Sequence, residues 1–315
     1  MKASTFLSLA LFGPLCTCES DQGQDIKLRL LTYNIRYATT SPDTGEQLWS
    51  VRRPLMASQL NFETTNRPES LICMQEALRQ QVTNIQTDLG DSWQRIGVGR
   101  EDGAQKGEYS PIFYQPGTWQ LTQNRTYWLS PTPDVIGSKG WDAALPRIVT
   151  VARLTHKATG TPLVYMCTHF DHVGQVAREN SASLLIKIAN DWSKTNDTAT
   201  PNKTVPVFLA GDLNIQPNNK AYSTLIAPAS EGRMKDIKDL VPVAKWYGNN
   251  KTFTGFTSSK TDDTRIDYIF ARDPVKAGFK FLSYGVLTNS FDDGVYISDH
   301  RPVVVDALLP AAGKA

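Results

Sequence analysis

The sequence predicts an α/β fold in which two β-sheets pack face to face and helices cover their outer surfaces. Many short runs rich in apolar and β-branched residues have the composition of strands, whereas few stretches show helical periodicity. A doubly wound sheet would alternate strand and helix throughout, so the surplus of strands favours two packed sheets. The 315 residues are 40% hydrophobic, which supplies enough apolar material for a large core.

Each predicted strand is rich in residues that suit a pleated, buried surface. In chain order the predicted strands are 28–33, 71–75, 112–114, 147–154, 163–168, 205–210, 266–270 and 303–307. Neither an internal repeat nor a long low-complexity linker divides them. Residues 19–315 are therefore predicted to form one domain.

Helices are predicted where apolar residues recur every three or four positions, because such residues form one stripe that can lie on a sheet. Pro54 is expected to open the first helix, since proline suits the first helical turn. The apolar stripes are Leu55, Met56, Leu60 and Phe62 in the first helix, Leu78, Val82, Ile85 and Leu89 in the second, and Leu184, Leu185, Ile188 and Trp192 in the third.

Residues 1–18 have the layout of a secretory signal peptide, with Lys2, a short apolar stretch and then small residues near a cleavage position. The protein is therefore predicted to be secreted; a disordered N-terminal extension is the alternative. No apolar run is long enough to predict a transmembrane segment. Asn-x-Ser/Thr triplets also arise by chance, but they would suit a glycoprotein from a eukaryotic source, and they begin at Asn124, Asn196, Asn202 and Asn250.

Cys73 and Cys167 would be the only cysteines left after signal cleavage. Both lie in apolar runs that are predicted strands. This placement favours buried free thiols over a functional pair, while a disulfide between them stays open. Cysteine chemistry is therefore not expected to be the function.

Polar side chains follow the predicted strands where the chain leaves the core. Loops mounted on rigid strands are where catalytic groups concentrate, so one shared site is the simplest interpretation. The alternative for each residue taken alone is a turn former or a helix cap. The residues concerned are Asn34, Glu76, His169, Asp171, Asp212, Asn214, Asp267, Asp299 and His300.

Turn formation does not explain two features of this set. The chain has four histidines, yet His169 and His300 each lie within two residues of an aspartate. Asp267 lies within an apolar run, where a carboxylate needs a partner to offset its desolvation. These features favour a site in which acidic and imidazole groups converge.

Six motifs occur in a fixed order over nearly the whole chain, from about Leu28 to Val305. They are Tyr33-Asn34-Ile35-Arg36, Gln75-Glu76, Thr168-His169, Gly211-Asp212-Leu213-Asn214, Arg265-Ile266-Asp267-Tyr268 and Ser298-Asp299-His300. This set resembles the endonuclease/exonuclease/phosphatase superfamily, whose members include deoxyribonucleases, apurinic endonucleases, deadenylases, sphingomyelinases and inositol-polyphosphate phosphatases. The resemblance implies a four-layer α/β/β/α sandwich with two central mixed sheets and the site at one edge of them.

Three further segments are similar to secreted or periplasmic members near the carbon catabolite repressor-type deadenylase branch: 128–130, 140–142 and 146–148. Apurinic endonucleases carry a carboxylate two positions after the motif asparagine, where this chain has Arg36. That difference favours a one-metal site or the deadenylase-like and sphingomyelinase-like branches.

Glu76 and Asp299 supply hard oxygen ligands of the kind that Mg²⁺ or Mn²⁺ prefers. Asn34 is placed to support a metal-bound water or the phosphate through its amide. A zinc site is disfavoured, since the chain has neither thiol-ligand spacing nor a His-x-x-x-His pair. We therefore expect a Mg²⁺ (or Mn²⁺) cofactor held by Asn34, Glu76 and Asp299, acting as a Lewis acid on a phosphoester.

The resemblance implies catalytic roles for four further residues. Asp212 would orient or deprotonate the attacking water, and Asn214 would donate a hydrogen bond to the phosphoryl oxygen. His300 would bind the same phosphate as a cation, with Asp267 fixing its ring.

His169 is expected either to donate a second hydrogen bond to the phosphate or to act as a general acid at the leaving group. Arg147 is expected to bind substrate through a bidentate phosphate contact; a surface ion pair is the alternative. Asp171 is also placed at the substrate, and it either orients His169 or forms a turn.

The predicted function is a secreted, metal-dependent phosphoester hydrolase, and the favoured form is a nuclease-type phosphodiesterase resembling a 3′-5′ exonuclease. The 33 basic and 31 acidic residues nearly cancel, which weakens the case for nucleic acid. The alternatives are an enzyme for a phospholipid head group, a sugar phosphate or a phosphorylated glycan, and a silent binding module. No stable protein partner is implied. Loops 99–110 and 247–263 are expected to shape the cleft, and a base-stacking platform could be formed by Trp128, Trp141, Trp246, Tyr247 and Phe256.

Overall fold

The computed structural model describes residues 24–194, 204–227, 232–257, 264–272 and 278–312. In chain order its strands are β1 (Ile26–Asn34), β2 (Leu71–Gln75), β3 (Gln94–Ile96), β4 (Ile112–Tyr114), β5 (Trp119–Trp128), β6 (Ile148–His156), β7 (Pro162–His169), β8 (Val207–Asp212), β9 (Met234–Asp236), β10 (Trp246–Gly248), β11 (Asp267–Arg272), β12 (Lys280–Val286) and β13 (Val303–Leu309). The α-helices are α1 (Trp49–Thr64), α2 (Arg79–Leu89), α3 (Gln175–Ser193) and α4 (Lys220–Ile226).

The strands form two mixed sheets. The first sheet has the order β10-β12-β13-β1-β2-β4-β3, and the second has the order β5-β6-β7-β8-β11-β9. Within the first sheet β1 is parallel to β2 and antiparallel to β13. Within the second, β7 is parallel to β8 and antiparallel to β6. The predicted pair of packed sheets is confirmed.

Alternating side chains along each central strand build three apolar layers. Leu30 of β1 and Tyr165 of β7 point into the core between the sheets. Their neighbours point outward: Leu31 packs in the cluster that holds residues of α1 and α2, and Val164 packs in the cluster that holds residues of α3 and α4. The expected α/β/β/α layering follows from this alternation.

A disulfide joins the two sheets through their shared core. Cys73 of β2 and Cys167 of β7 are bonded, with their Cα atoms 5.3 Å apart. Both residues are completely buried. The expectation of free thiols is therefore wrong, and the pairing that the sequence left open is present.

The first helix begins earlier than predicted. α1 starts at Trp49, and Pro54 lies inside it instead of opening it. Arg52 explains the earlier start: its guanidinium is fully buried and donates to the carbonyl oxygens of Ile35 (2.8 Å) and Ile297 (2.9 Å). These bonds anchor the first turn to the ends of other segments, which offsets the backbone hydrogen bond that Pro54 removes.

Parallel pairing brings the functional strand ends to one edge of the sandwich. Asn34 ends β1, and Glu76 comes directly after β2. In the second sheet His169 ends β7 opposite Asp212, the last residue of β8, and Asp267 begins β11 opposite the same Asp212. The fold thus collects residues that are distant in sequence at a single edge.

Some predictions lie partly or wholly outside the described residues, among them the predicted cleft loop 247–263, of which residues 258–263 are not described. The signal peptide predicted for residues 1–18 falls there, as do the triplets at Asn196 and Asn202, whereas Asn124 and Asn250 are exposed. Within the described ranges, no helix combines the length and the apolar character needed to cross a membrane.

Candidate active site

A cleft of about 740 Å³ opens at the edge where the functional strands end. Most of the predicted site residues line it: Glu76, Arg147, His169, Asp212, Asn214, Asp299 and His300. Asn34, Asp171 and Asp267 are buried behind these residues. The structure therefore brings the whole predicted set together, with some members at the surface of the cleft and others supporting them.

Unusual backbone conformations direct three residues into the cleft. Arg36, Glu76 and Asn214 have φ angles of 53°, 62° and 50°, and they are three of the five non-glycine residues with positive φ in the described ranges. This region is sterically costly for residues with a side chain, at about 1–3 kcal/mol each. The concentration of such residues at one cleft indicates that the surrounding contacts hold the backbone in place.

Gly211 allows the two central strands of the second sheet to approach closely just before Asp212. Its φ is 151°, and a Cβ at this position would collide with the carbonyl oxygen of Thr168. Any side chain here would push β8 away from β7. Glycine at 211 therefore keeps Asp212 beside His169, whose Nε2 lies 3.4 Å from Asp212 Oδ2.

Asn34 links the carboxylates of the two sheets. Its Nδ2 donates to Glu76 Oε1 (2.9 Å) and to Asp212 Oδ2 (3.0 Å). Its Oδ1 accepts the backbone N–H of Arg36 (3.0 Å), which fixes the orientation of the amide. Asn34 thus presents its NH₂ group to the carboxylates, so its side-chain oxygen faces the backbone and not the cleft.

Two aspartates of the cleft have raised pKa values. Burial raises the pKa of Asp212 to about 7, and the neighbouring Asp267 carboxylate adds to this rise while His300 opposes it. Burial also raises the pKa of Asp299 to about 6, with a further contribution from Glu76 and an opposing one from His300. Desolvation and mutual repulsion both disfavour negative charge here. The cleft therefore carries acidic oxygens whose negative charge is not fully offset by the protein.

His300 and Asp267 form an ion pair. His300 is thus the partner that the buried Asp267 carboxylate was expected to need. His300 Nδ1 lies 2.8 Å from Asp267 Oδ2, and both side chains are buried. Burial alone would lower the pKa of His300, but the carboxylates of Asp267 and Asp212 raise it well above 6.5. His300 is therefore cationic at neutral pH, with its Nε2 3.6 Å from Asp212 Oδ2.

His169, in contrast to His300, is neutral. Burial lowers its pKa well below 6.5, and the nearby Arg147 and Arg100 lower it further. Arg147 Nη1 lies 3.0 Å from His169 Nδ1, and because arginine can only donate, this Nδ1 accepts and the ring proton lies on Nε2. The neutral His169 thus points its Nε2–H toward Asp212 Oδ2, 3.4 Å away, and such a donor also suits hydrogen bonding to a phosphate oxygen.

Arg147 and Asp171 lie at the side of the cleft. The guanidinium of Arg147 is shared between His169 and His172, whose Nδ1 lies 2.9 Å from Arg147 Nη2. Asp171 accepts hydrogen bonds from the backbone N–H groups of Ala144, Leu145, Val173 and Gly174, and it lies 3.5 Å from Arg147 Nε. These bonds draw its pKa down to about 2 against the effect of burial. Asp171 therefore fixes two loops and Arg147.

Two residues of the site did not emerge as candidates from the sequence. Glu108 accepts from Arg100 (2.6 Å) and lies 3.8 Å from His169 Nδ1. His172 lines the cleft from the loop after β7. Its closeness to His169 in a chain with four histidines was the available signal, whereas Glu108 follows no strand that would have pointed to it.

The predicted stacking platform does not form at this site. Trp128 and Phe256 are buried, and none of the five aromatic residues proposed for the platform is among the described residues that line the cleft. The aromatic side chains there are Tyr37 and Phe253 instead. Sequence position in a loop did not reveal that Trp128 packs inward and donates from Nε1 to the carbonyl oxygen of Arg100.

The sequence profile of the Endonuclease/Exonuclease/phosphatase family matches residues 31–300. This span contains every strand end that contributes to the cleft. The chain belongs to the endonuclease/exonuclease/phosphatase family. Its members hydrolyse phosphoester bonds, so the chain has a phosphoesterase or nuclease-type function.

Two solved structures are similar to this chain over nearly their whole length. An endonuclease/exonuclease/phosphatase from Bacteroides vulgatus is 31% identical, with a TM-score of 0.77 over 90% of this chain and 99% of that one. A mannosyl-6-phosphatase from Bacteroides thetaiotaomicron is also 31% identical, with a TM-score of 0.74 over 89% of this chain and 99% of that one.

One curated relative is similar over part of its length. A probable RNA exonuclease of Schizosaccharomyces pombe is 24% identical over 229 residues, which are 70% of this chain and 42% of the relative. The match therefore spans less than half of that protein.

Endonuclease/exonuclease/phosphatase enzymes generally use divalent metals, and the donor groups of this cleft fit such an ion. Glu76 and Asp212 each offer a carboxylate oxygen within 4.8 Å of the other. Carboxylate oxygens dominate, as hard cations prefer. The raised pKa values of Asp212 and Asp299 indicate negative charge that a cation would offset.

Proposed function

We propose that this protein is a secreted, divalent-metal-dependent phosphatase that removes phosphate from a phosphorylated sugar or glycan. The observation that carries the proposal is the small number of cations available in the cleft. Among the described lining residues the arginines are Arg36 and Arg147, and lysine is absent. A polynucleotide would call for several cationic contacts along its backbone.

Both arginines are already engaged by the protein. Arg36 pairs with Asp43 (2.8 Å) and Glu46 (3.2 Å), and Arg147 is shared between two imidazoles. His300 is therefore the cation that is best placed for an incoming phosphate. One buried cation suits a single terminal phosphate better than a charged polymer, and the similarity to a mannosyl-6-phosphatase supports a sugar as the other part of the substrate.

Different residues of the cleft have different roles in the proposed hydrolysis. Asp212 orients the attacking water and takes its proton, since its Oδ2 lies between the Nε2 atoms of His169 (3.4 Å) and His300 (3.6 Å) at the cleft. His300, held by Asp267, donates from Nε2 to the phosphoryl oxygen. The neutral His169 supplies a further N–H donor beside it, and Asn214 orients its amide toward the same region.

Glu76 and Asp299 would hold the Mg²⁺ or Mn²⁺ ion, with Asn34 holding Glu76 in position. When bound, the ion neutralises charge on the phosphoryl group and on the departing oxygen. The chain provides an acidic pocket for it, and Cys73 and Cys167, being bonded to each other, offer no competing thiolate ligands.

The disulfide supports the proposed export of the protein. Disulfides persist in oxidising compartments and are rare where thiols are kept reduced. Cys73–Cys167 is a fully buried link between the two sheets, which is the position of a structural bond. A signal peptide at residues 1–18 would deliver the chain to such a compartment.

A nuclease is the second candidate, and the similarity to a probable RNA exonuclease favours it. Tyr37 and Phe253 line the cleft and offer ring faces on which one base could stack. Membership of the deadenylase branch stays a prediction.

A substrate panel separates the two candidates. Purified protein is incubated with mannose 6-phosphate, RNA and DNA oligonucleotides, sphingomyelin and a glycerophosphodiester, each with Mg²⁺ and with a chelator. We expect phosphate release from mannose 6-phosphate that the chelator abolishes, and no release by His300→Ala. Shortening of the oligonucleotides without phosphate release from the sugar would establish the nuclease instead.

A further inference from the structure

The guanidinium of Arg147 is within hydrogen-bonding distance of two histidines of the cleft. Its Nη1 lies 3.0 Å from His169 Nδ1 and its Nη2 lies 2.9 Å from His172 Nδ1. A guanidinium has donors and no acceptor, so both Nδ1 atoms must accept. In both rings the proton therefore lies on Nε2, the nitrogen that is not engaged by Arg147.

The support behind Arg147 is rigid. Its side chain is 5% exposed, and its Nε faces the buried carboxylate of Asp171. That carboxylate is itself held by four backbone N–H groups of two loops. The orientation of both imidazoles is thus fixed by a network that does not depend on the substrate.

The two histidines lie at different depths of the same cleft. His169 is buried near Asp212 and Asn214, among the groups that would receive the phosphate. His172 is exposed and lines the cleft at its rim, as does the exposed side chain of Leu145. A phosphorylated alcohol that enters phosphate first must leave the remainder of the molecule at the rim.

We propose that His172 is a specificity-determining residue that donates its Nε2–H to a hydroxyl group of the alcohol released from the phosphate. The inference rests on the proposed sugar phosphatase function and extends it to the part of the substrate beyond the phosphate. Arg147 is the positioning residue for this contact because it holds the acceptor side of the ring. The ligand chemistry is that of a polyol such as a hexose, whose hydroxyls can accept the donated proton in a hydrogen bond.

The expected signature is selective. A site that hydrogen-bonds a substrate hydroxyl discriminates against substrates that lack it, whereas the phosphate contacts are common to all phosphomonoesters. Loss of the His172 donor should therefore weaken hydrolysis of a sugar phosphate and spare p-nitrophenyl phosphate, whose leaving group carries no hydroxyl apart from the one released.

The test compares wild type with His172→Ala, His172→Gln and Val173→Ala, using mannose 6-phosphate and p-nitrophenyl phosphate. Val173 is exposed on the same loop and is not among the described lining residues, so Val173→Ala is the matched control. We expect His172→Ala to lower kcat/KM for the sugar phosphate about tenfold or more, as removal of one well-placed hydrogen bond does. Its kcat/KM for p-nitrophenyl phosphate and its inhibition constant for inorganic phosphate should stay within about twofold of wild type.

His172→Gln should recover part of the lost sugar-phosphate activity, because its side-chain amide can donate from a similar position. Equal losses on both substrates, or no loss on either, would overturn the role of His172 while leaving the phosphatase itself standing. A wild-type enzyme that does not release phosphate from the sugar would overturn the proposed function, and this inference with it.

Discussion

The Asp267–His300 pair offers the sharpest mutational prediction. Asp267 is completely buried, its Oδ2 lies 2.8 Å from His300 Nδ1, and its Oδ1 has no hydrogen-bond partner among the described residues. Asp267→Asn keeps the size and shape of the side chain and removes the negative charge. His300 would then lose the largest contribution that raises its pKa.

The size of the effect follows from the type of bond. A hydrogen bond to a charged group contributes about 1.5–3 kcal/mol, which corresponds to a factor of roughly 10 to 150 in rate if it acts in the transition state. We expect Asp267→Asn to lower kcat by a factor of roughly 10 to 150 or more. The pH above which activity declines should also move to a lower value, because His300 would lose its proton more easily.

Stability should change with pH in a defined direction. The pKa of His300 is raised in the folded state, so its contribution to stability is complete below about pH 6.5 and is lost as pH rises through the folded-state pKa. The difference in melting temperature between wild type and Asp267→Asn should therefore be larger at pH 6 than at high pH. Steady-state kinetics and thermal melts over a pH series measure both effects. An unchanged kcat with an unchanged pH profile would refute the assigned role of the pair.

Three further predictions concern the metal and the disulfide. Because the pKa values of Asp212 (about 7) and Asp299 (about 6) are raised, the metal-free native state binds more protons than the unfolded state between about pH 4 and 7. The stability of the metal-free protein should therefore fall as pH rises through this window. Mg²⁺ should raise the melting temperature more at pH 8 than at pH 5.5, and the reverse order would contradict these shifts. Glu76→Gln should require a higher Mg²⁺ concentration for half-maximal rate, and saturation at the wild-type concentration would exclude Glu76 as a ligand. Replacing both Cys73 and Cys167 by alanine should cost about 2–5 kcal/mol in the free energy of unfolding, measured by urea denaturation, and an equal free energy in the two proteins would mean that the link adds no stability.

The sequence revealed the elements that contain a long buried apolar run, and it missed elements that are short or partly exposed, such as β5, β12 and α4. β5 is mostly exposed and polar because it lies at the edge of its sheet, where backbone hydrogen bonds to β6 hold it. The disulfide was not predictable because sequence spacing does not show that Cys73 and Cys167 face each other from opposite sheets. The ends of the central strands could be predicted from the sequence, because a buried apolar run comes directly before them.

The site residues also fall into those that a local sequence pattern indicates and those that only the folded chain brings together. Asn34, Glu76, Asp212 and His300 belong to motifs and were expected at the cleft. The arrangement around Arg147 depends on hydrogen bonds from loops that are distant from it in sequence, and no local pattern encodes which nitrogen of an imidazole accepts. Glu108 was missed for the same reason: its partners come together only in the folded chain.

The central claim is that one divalent ion binds at the acidic edge where the two sheets meet. Crystals grown with Mn²⁺ test it directly through an anomalous difference map. We predict a peak within bonding distance of the Glu76 and Asp299 carboxylates, on the side of the cleft that faces Asp212 and His300. A peak elsewhere, or a cleft that stays free of Mn²⁺ at concentrations that saturate activity, would contradict the account.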